Sequence, residues 1–302
     1  MEPRASSVRY ILNTAFHSLA YLEWGDPAAP PVLCVHGLTR NAHDFDPLAR
    51  ALAGRYRLIC PDLPGRGASD WLPAGELYQP LSYVQALSHL LAVIGQPVHW
   101  VGTSLGGICG MAIAAAQGHS IKKLVLNDIG PVIALPGLER IHSYVAGADL
   151  AMRFGDLAEV EEHLRRIHAP FGPITDAQWT DMARHSAMPA AEGGHRLHYD
   201  PKLADPIRAA KPAETPLWHL WSAIRVPVMV VRGGDSDLLD PATFAHMAGD
   251  GARSLELADI GHAPSLMDPP TIAAIADFLA DDAAPALAPT LPKPAAPPPA
   301  NA

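Results

Sequence analysis

The chain has 302 residues, with 22 Lys plus Arg against 31 Asp plus Glu, a net charge of −9, 49% hydrophobic and 18% charged residues. This is the composition of a folded globular chain, and its acidity without any basic block argues against a nucleic-acid partner. No apolar run approaches the roughly 20 residues of a membrane span, and the first ten residues have neither the apolar stretch nor the cleavage pattern of a signal peptide, so no membrane partner is expected.

In chain order, residues 18–24 read as an early strand. Residues 31–36 (PVLCVH) are nearly all apolar, as expected of a strand buried on both faces. A helix is expected over 44–53, a strand over 57–62 and a helix over 81–94, the last stopped by Gly95 and Pro97. A strand over 98–102, a helix rich in small residues over 105–117 and a strand over 121–126 follow. This alternation predicts an α/β fold with a mainly parallel sheet and helices on both faces. The rhythm stops over 131–221, which reads as helices and loops and carries Tyr144, Phe154, Phe171, Trp179, Tyr199, Trp218 and Trp221. It resumes with a strand over 227–232, a helix over 241–248, a strand over 254–257 and a helix over 269–279. The expected organisation is a core of residues 1–130 and 222–282, a helical cap of residues 131–221, and a disordered Pro/Ala tail of residues 283–302.

Cys34, Cys60 and Cys109 are odd in number, and their spacing fits neither a disulfide framework nor a zinc site. They are expected to be buried free thiols of a chain in a reducing compartment, which points to the cytoplasm. The 15 histidines include no HExxH or comparable ligand motif, so no metal is expected.

The strongest chemical signal is Gly102-Thr103-Ser104-Leu105-Gly106, between a predicted strand and a predicted helix. A serine at such a tight strand-to-helix turn has a strained backbone and an exposed hydroxyl. Side chains two residues to either side would collide, hence glycine at both positions. The helix that follows favours negative charge at its N-terminus. A serine hydroxyl needs a base, and the base needs an orienting acid. His262, in Gly261-His262-Ala263-Pro264 after the last predicted strand, is the expected base. For the acid, Asp235 and Asp237 qualify by following the strand at 227–232, and Asp128 by following the strand after the elbow helix; Asp237 is preferred. Asp240 reads instead as the N-cap of a helix beginning at Pro241. The two oxyanion donors are expected to be the backbone N–H groups of Leu105 and, from His36-Gly37-Leu38-Thr39, of Leu38. The loop Asp62-Leu63-Pro64-Gly65-Arg66-Gly67-Ala68-Ser69 reads as structural. Arg40 reads as a structural or solvated arginine within possible reach of a substrate carboxylate.

Taken in order, His36-Gly37, the D-x-x-G-x-G-x-S loop from Asp62 to Ser69, the elbow at Ser104, the late aspartate and Gly261-His262 resemble the α/β-hydrolase fold family, in its subgroup with an HG-x oxyanion motif and a helical cap. The resemblance spans roughly residues 18–280. It implies an eight-stranded sheet with the cap inserted after the sixth strand. In the family the acid is commonly followed four positions on by proline, as Asp237 is by Pro241. A serine at the elbow sets the chain apart from the family's dehalogenase and epoxide-hydrolase branches, which use an aspartate nucleophile.

These residues point to a serine hydrolase that cleaves small to medium esters through an acyl-enzyme, with a small-molecule ester as partner and no cofactor required. The rate should fall as His262 becomes protonated. Rival readings are a carbon–carbon bond hydrolase of vinylogous diketones, a lactonase, and a non-catalytic ligand receptor on the same fold. The carbon–carbon subgroup usually has a glycine-rich extension after the oxyanion HG, where this chain has Leu38-Thr39-Arg40-Asn41.

Overall fold

The computed structural model describes residues 2–146 and 152–290. Eight strands form the main sheet: β1 (Arg4–Leu12), β2 (Ala15–Trp24), β3 (Pro31–Val35), β4 (Arg57–Pro61), β5 (Val98–Thr103), β6 (Ile121–Asn127), β7 (Val228–Gly233) and β8 (Arg253–Leu257). Their order across the sheet is β1-β2-β4-β3-β5-β6-β7-β8. The first two strands pair antiparallel and β2 pairs antiparallel with β4; every other pairing is parallel.

Alternation along each central strand builds two cores. Leu33 and Val35 of β3, Trp100 of β5, Leu124 and Leu126 of β6, and Val228 and Val230 of β7 face one cluster. Val32 and Cys34, Val101, Val125, and Met229 and Val231 face the other. Successive strand side chains point to opposite faces, so strands covered on both sides must be apolar at every position. Helices α2 (Pro80–Ile94) and α3 (Leu105–Ala114) cover the first face, through Leu87, Leu90 and Met111 among others. Helices α1 (Asp46–Leu52) and, after the last strand, Pro269–Ala280 cover the second, through Leu48, Leu52, Ile275 and Phe278. Each fully buried Leu, Ile or Phe in these layers contributes about 1.5–3 kcal/mol relative to exposure.

Strand β1 went unread in the sequence. Its exposed and buried residues alternate, with Val8, Tyr10 and Leu12 inside. That weak period-2 pattern is typical of an edge strand with one wet face.

Between β6 and β7, which are neighbours in the sheet, the chain makes a long excursion. It contains helices α4 (Leu135–Ala146), α5 (Leu157–Ile167), α6 (Asp176–Ser186), α7 (Asp205–Ala209) and α8 (Trp218–Trp221). It also contains a small antiparallel sheet of Arg153–Phe154, Ala187–Pro189 and His195–Leu197, where only helices and loops were expected. Phe154, Trp179, Tyr199 and Trp221 are buried in the protein's core. After β7 come α9 (Pro241–Gly249), β8 and α10 (Pro269–Ala280).

The expected Pro/Ala tail needs correction over its first part. Leu287 is buried and its N–H donates to Val226 O, while Ala288 N–H donates to Asp250 O. Thr290 donates to the Asp250 carboxylate through N–H and hydroxyl, at 2.9 and 2.6 Å. One apolar side chain and these backbone bonds are enough to dock a segment whose composition looks featureless. Residues 291–302 of the expected tail lie outside the described residues. Among the described residues, no helix is long and apolar enough to cross a membrane. All three cysteines are free and buried.

Candidate active site

Ser104 stands at the junction of β5 and α3 with φ 50° and ψ −113°. A non-glycine residue reaches that region only under strain, and such strain persists where the surroundings over-determine it. The surroundings here are tight. A Cβ on Gly102 would lie 2.4 Å from Gly106 O, and one on Gly106 would lie 2.0 Å from Val35 O. Both glycines of the motif are therefore required by the close passage of α3 over the strand ends. Trp100 locks this contact by donating its ring N–H to Gly106 O at 3.1 Å. Ser104 N–H donates to Asn127 O at 3.0 Å, which fixes the turn to the end of β6.

The His262 ring lies against Ser104, with Nε2 3.0 Å from the Ser104 hydroxyl, and its Nδ1 lies 2.6 Å from Oδ2 of Asp128. The arrangement that satisfies both contacts has Nδ1–H donating to the carboxylate and Nε2 accepting from the serine hydroxyl. Asp128 is fully buried and also has a positive φ, 54°. Its Oδ1 accepts the Gly233 N–H at 2.8 Å, and its Oδ2 also accepts the Ser236 hydroxyl at 2.6 Å. Three donors thus hold a buried carboxylate, as a buried charge requires. Asn127 ties the parts together: its side chain donates to Thr103 Oγ1 at 3.0 Å and to Pro264 O at 2.8 Å, joining the elbow to the His262 loop.

The preferred sequence candidate for the acid, Asp237, is corrected by this geometry. Its carboxylate is engaged by Arg140 of α4, through Nε at 2.6 Å and Nη2 at 2.9 Å. Burial pushes the Asp237 carboxyl up, but hydrogen bonding and charge from Arg140 outweigh it and hold the carboxyl below its usual range. Asp235 is exposed, with its backbone N–H on Ile260 O. Asp240 caps α9, as its position before Pro241 suggested, accepting from Ala242 and Thr243 N–H. The loop after β7 therefore contributes a hydroxyl, Ser236, rather than a carboxylate. Ser236 and Asn127 were missed in the sequence. The only available signal was their adjacency to Asp237 and Asp128 at strand ends.

Gly37 packs against Ser104, leaving 3.7 Å between a would-be Cβ and the Ser104 Cβ. Leu38 and Ser104 line the same cavities. Leu105 opens α3, where first-turn amides lack intrahelical partners. His36 itself is structural. It is fully buried, donates Nδ1–H to Gly37 O at 2.7 Å and accepts the Leu63 N–H at Nε2, at 2.9 Å. Burial, helped by the nearby Arg66 and Arg40 charges, lowers its pKa to about 3, so it stays neutral. Arg66 is also fully buried. It donates through Nε to Leu38 O at 2.8 Å and through Nη1 to Pro64 O and Tyr83 Oη, and so anchors the 37–40 turn from behind. Asp62 accepts from Ala42 and Ala68 N–H, so the glycine-rich loop is structural as read.

Two cavities open from Ser104. One, of about 380 Å³, is mainly apolar, with Leu105, Ile108, Ile133, Ile141 and Ile207 in its walls and Lys211 at its edge. The other is narrower and runs past His262, Arg140, Tyr144, His168 and Phe171. Tyr144 and Phe171 thus face the cavity, unlike the buried Trp179 and Trp221. Arg40 lines the narrower cavity but is nearly buried. It binds Asp44 through Nε and Nη2 and points Nη1 at His168 and Ser186.

Residues 32–294 match the alpha/beta hydrolase family. The chain belongs to that family, and the eight-stranded, mostly parallel sheet is its fold. The chain is 42% identical over 290 residues to a 3-hydroxybutyrate-oligomer hydrolase of Cupriavidus necator, covering 91% of this chain and 97% of that protein. Among solved structures, an alpha/beta hydrolase of Novosphingobium aromaticivorans is 38% identical at TM-score 0.81, covering 92% of this chain and 98% of that one. A protein of Rickettsia typhi is 32% identical at TM-score 0.83, covering 92% and 99%. The chain is a hydrolase of this family with ester-hydrolysing relatives.

Proposed function

We propose that the chain is a cytoplasmic serine hydrolase that cleaves short oligoesters of 3-hydroxy acids, with Ser104, His262 and Asp128 as its catalytic triad. The observation that carries the mechanism is the continuous line from the Ser104 hydroxyl through His262 to the buried Asp128 carboxylate, at 3.0 and 2.6 Å. In this reading Ser104 Oγ attacks an ester carbonyl while its proton passes to His262 Nε2. Asp128 stabilises the imidazolium so formed. The tetrahedral oxyanion is held by the N–H groups of Leu38 and Leu105. Collapse expels the hydroxy-acid alcohol with the proton from His262, and water, deprotonated by the same ring, releases the acyl group. None of these steps calls for a metal or organic cofactor.

The substrate class rests on similarity to the Cupriavidus necator 3-hydroxybutyrate-oligomer hydrolase. It is supported by the apolar cavity beside Ser104, whose size lies within the small-molecule range. Methyl-bearing repeat units suit such walls, and Lys211 at its edge offers a cation to the free carboxylate end of an oligomer. The inserted segment acts as the cap over this cavity. Three buried free thiols support the cytoplasmic placement.

Turnover of 3-hydroxybutyrate dimer and trimer, compared with p-nitrophenyl acyl esters, tests the reading. Ser104→Ala is expected to abolish turnover of both and to lose labelling by a fluorophosphonate. Fast p-nitrophenyl turnover with no release of 3-hydroxybutyrate would keep the triad and discard the oligomer substrate. Undiminished turnover by Ser104→Ala would discard both.

A further inference from the structure

Beside the narrower Ser104 cavity, across the shared residues Arg40, Asp44, Met182 and Met267, three metal-competent side chains converge where the inserted segment rests on the core. One ligand atom from each of His43, Asp46 and His185 lies within 4.8 Å of the other two. His43 belongs to the single helical turn Ala42–Phe45 after β3, Asp46 opens α1, and His185 stands in the last turn of α6. We infer that these three residues form a binding site for a divalent transition-metal ion of the zinc class, tying the insertion to the core.

The donor set fits that class. Two imidazoles with one carboxylate are typical zinc ligands and leave a fourth position for water. Asp46 is only 7% exposed, and its Oδ1 has no hydrogen-bond partner among the described residues. An unsatisfied buried carboxylate oxygen is costly, and a cation would satisfy it. The same three residues line a cavity of about 40 Å³, larger than the ~10–15 Å³ needed to seat one water. The other oxygen of Asp46, Oδ2, is hydrogen-bonded to His43 Nδ1 at 3.0 Å, so the two side chains already approach each other as closely as the ~3.3 Å edge of a tetrahedron with ligands at about 2.0–2.1 Å allows.

The site is also braced from outside. Asn41 is buried, its Oδ1 accepts the His43 N–H at 3.0 Å, and its Nδ2 donates to His185 O at 3.2 Å. One amide therefore holds both histidine backbones in place. Asp46 is the carboxylate left for a cation to meet. Arg40 is already paired with Asp44, and Arg50, 3.7 Å from Asp46, is about half exposed and can swing into solvent. Asp181 on the cavity wall is likewise already paired, with Arg184 at 3.0 Å. The two imidazoles stack at 3.5 Å with planes 13° apart. Rings stacked in this way cannot both present a nitrogen to one ion in their planes, so binding turns one of them.

Titration of the full chain with Zn²⁺ by calorimetry, and with Co²⁺ by visible absorption, tests the site. The expected result is one ion per chain, with the intense visible bands of four-coordinate Co²⁺. His185→Ala, His43→Ala and Asp46→Asn should each weaken binding at least about tenfold, whereas His219→Ala, an exposed histidine elsewhere, should leave it unchanged. Ester turnover without metal reports that each variant is folded. Absence of binding by the wild-type chain, or binding undiminished in the folded His185 and His43 variants, would overturn the inference.

Discussion

The loops after β6 and β7 lie side by side at the carboxyl ends of adjacent strands, and each carries an aspartate. One holds Asp128, fully buried and bonded to His262, Gly233 and Ser236. The other holds Asp237, about a third exposed and bonded to Arg140 of the insertion. Two carboxylates at the ends of adjacent strands therefore have different tasks. Environment, not residue type, separates them: one is desolvated and aimed at the imidazole, the other is matched to a cation across the insertion–core contact. The loop after β7 still serves the histidine indirectly, because Ser236 supplies a hydroxyl to Asp128.

The sharpest way to break this comparison is to neutralise each carboxylate in turn. Asp128→Asn should lower kcat by about 10⁴-fold, the scale seen when the orienting acid of a triad is replaced by its amide. Equal losses in Asp128→Asn and Asp237→Asn would erase the distinction. Ser236→Ala comes next. It removes a hydrogen bond to a charged group, worth about 1.5–3 kcal/mol, and should cost roughly 10- to 100-fold in kcat, with KM little changed. Asp237→Asn should change kcat by about fivefold or less, the scale of a partly exposed ion pair.

The smallest effect is on stability in acid. Pairing with Arg140 holds the folded Asp237 carboxyl below its ordinary value. Its stabilising contribution is therefore complete above about pH 4 and is lost as pH falls through the lowered folded value. Thermal melts from pH 5 down to pH 2 should show a steeper loss of Tm in the wild type than in Asp237→Asn. Parallel slopes would mean that the pair contributes nothing to folding.

Much of the fold was legible in the sequence because its signals are local. Central strands buried on both faces read as unbroken apolar runs, and the elbow announces itself as a five-residue motif around Ser104, although only Gly102 is dictated by a local contact, with Gly106 O, whereas Gly106 is dictated by Val35 O of the neighbouring strand. His262 was legible from its loop between the last strand and the last helix. Strand β1 was not, because half of its residues face water, nor was the docking of Leu287, which depends on a single side chain in an Ala/Pro-rich stretch.

The sequence by itself determined the alternating strands and helices, the strained serine and the histidine loop, since each follows from short-range sterics and hydrophobic periodicity. The tertiary structure alone decided which aspartate meets the histidine. Position after a strand leaves Asp128, Asp235 and Asp237 equivalent. The choice depends on where Arg140 of the distant insertion lies, and on the buried N–H and hydroxyl groups that can hold a carboxylate against the cost of leaving water.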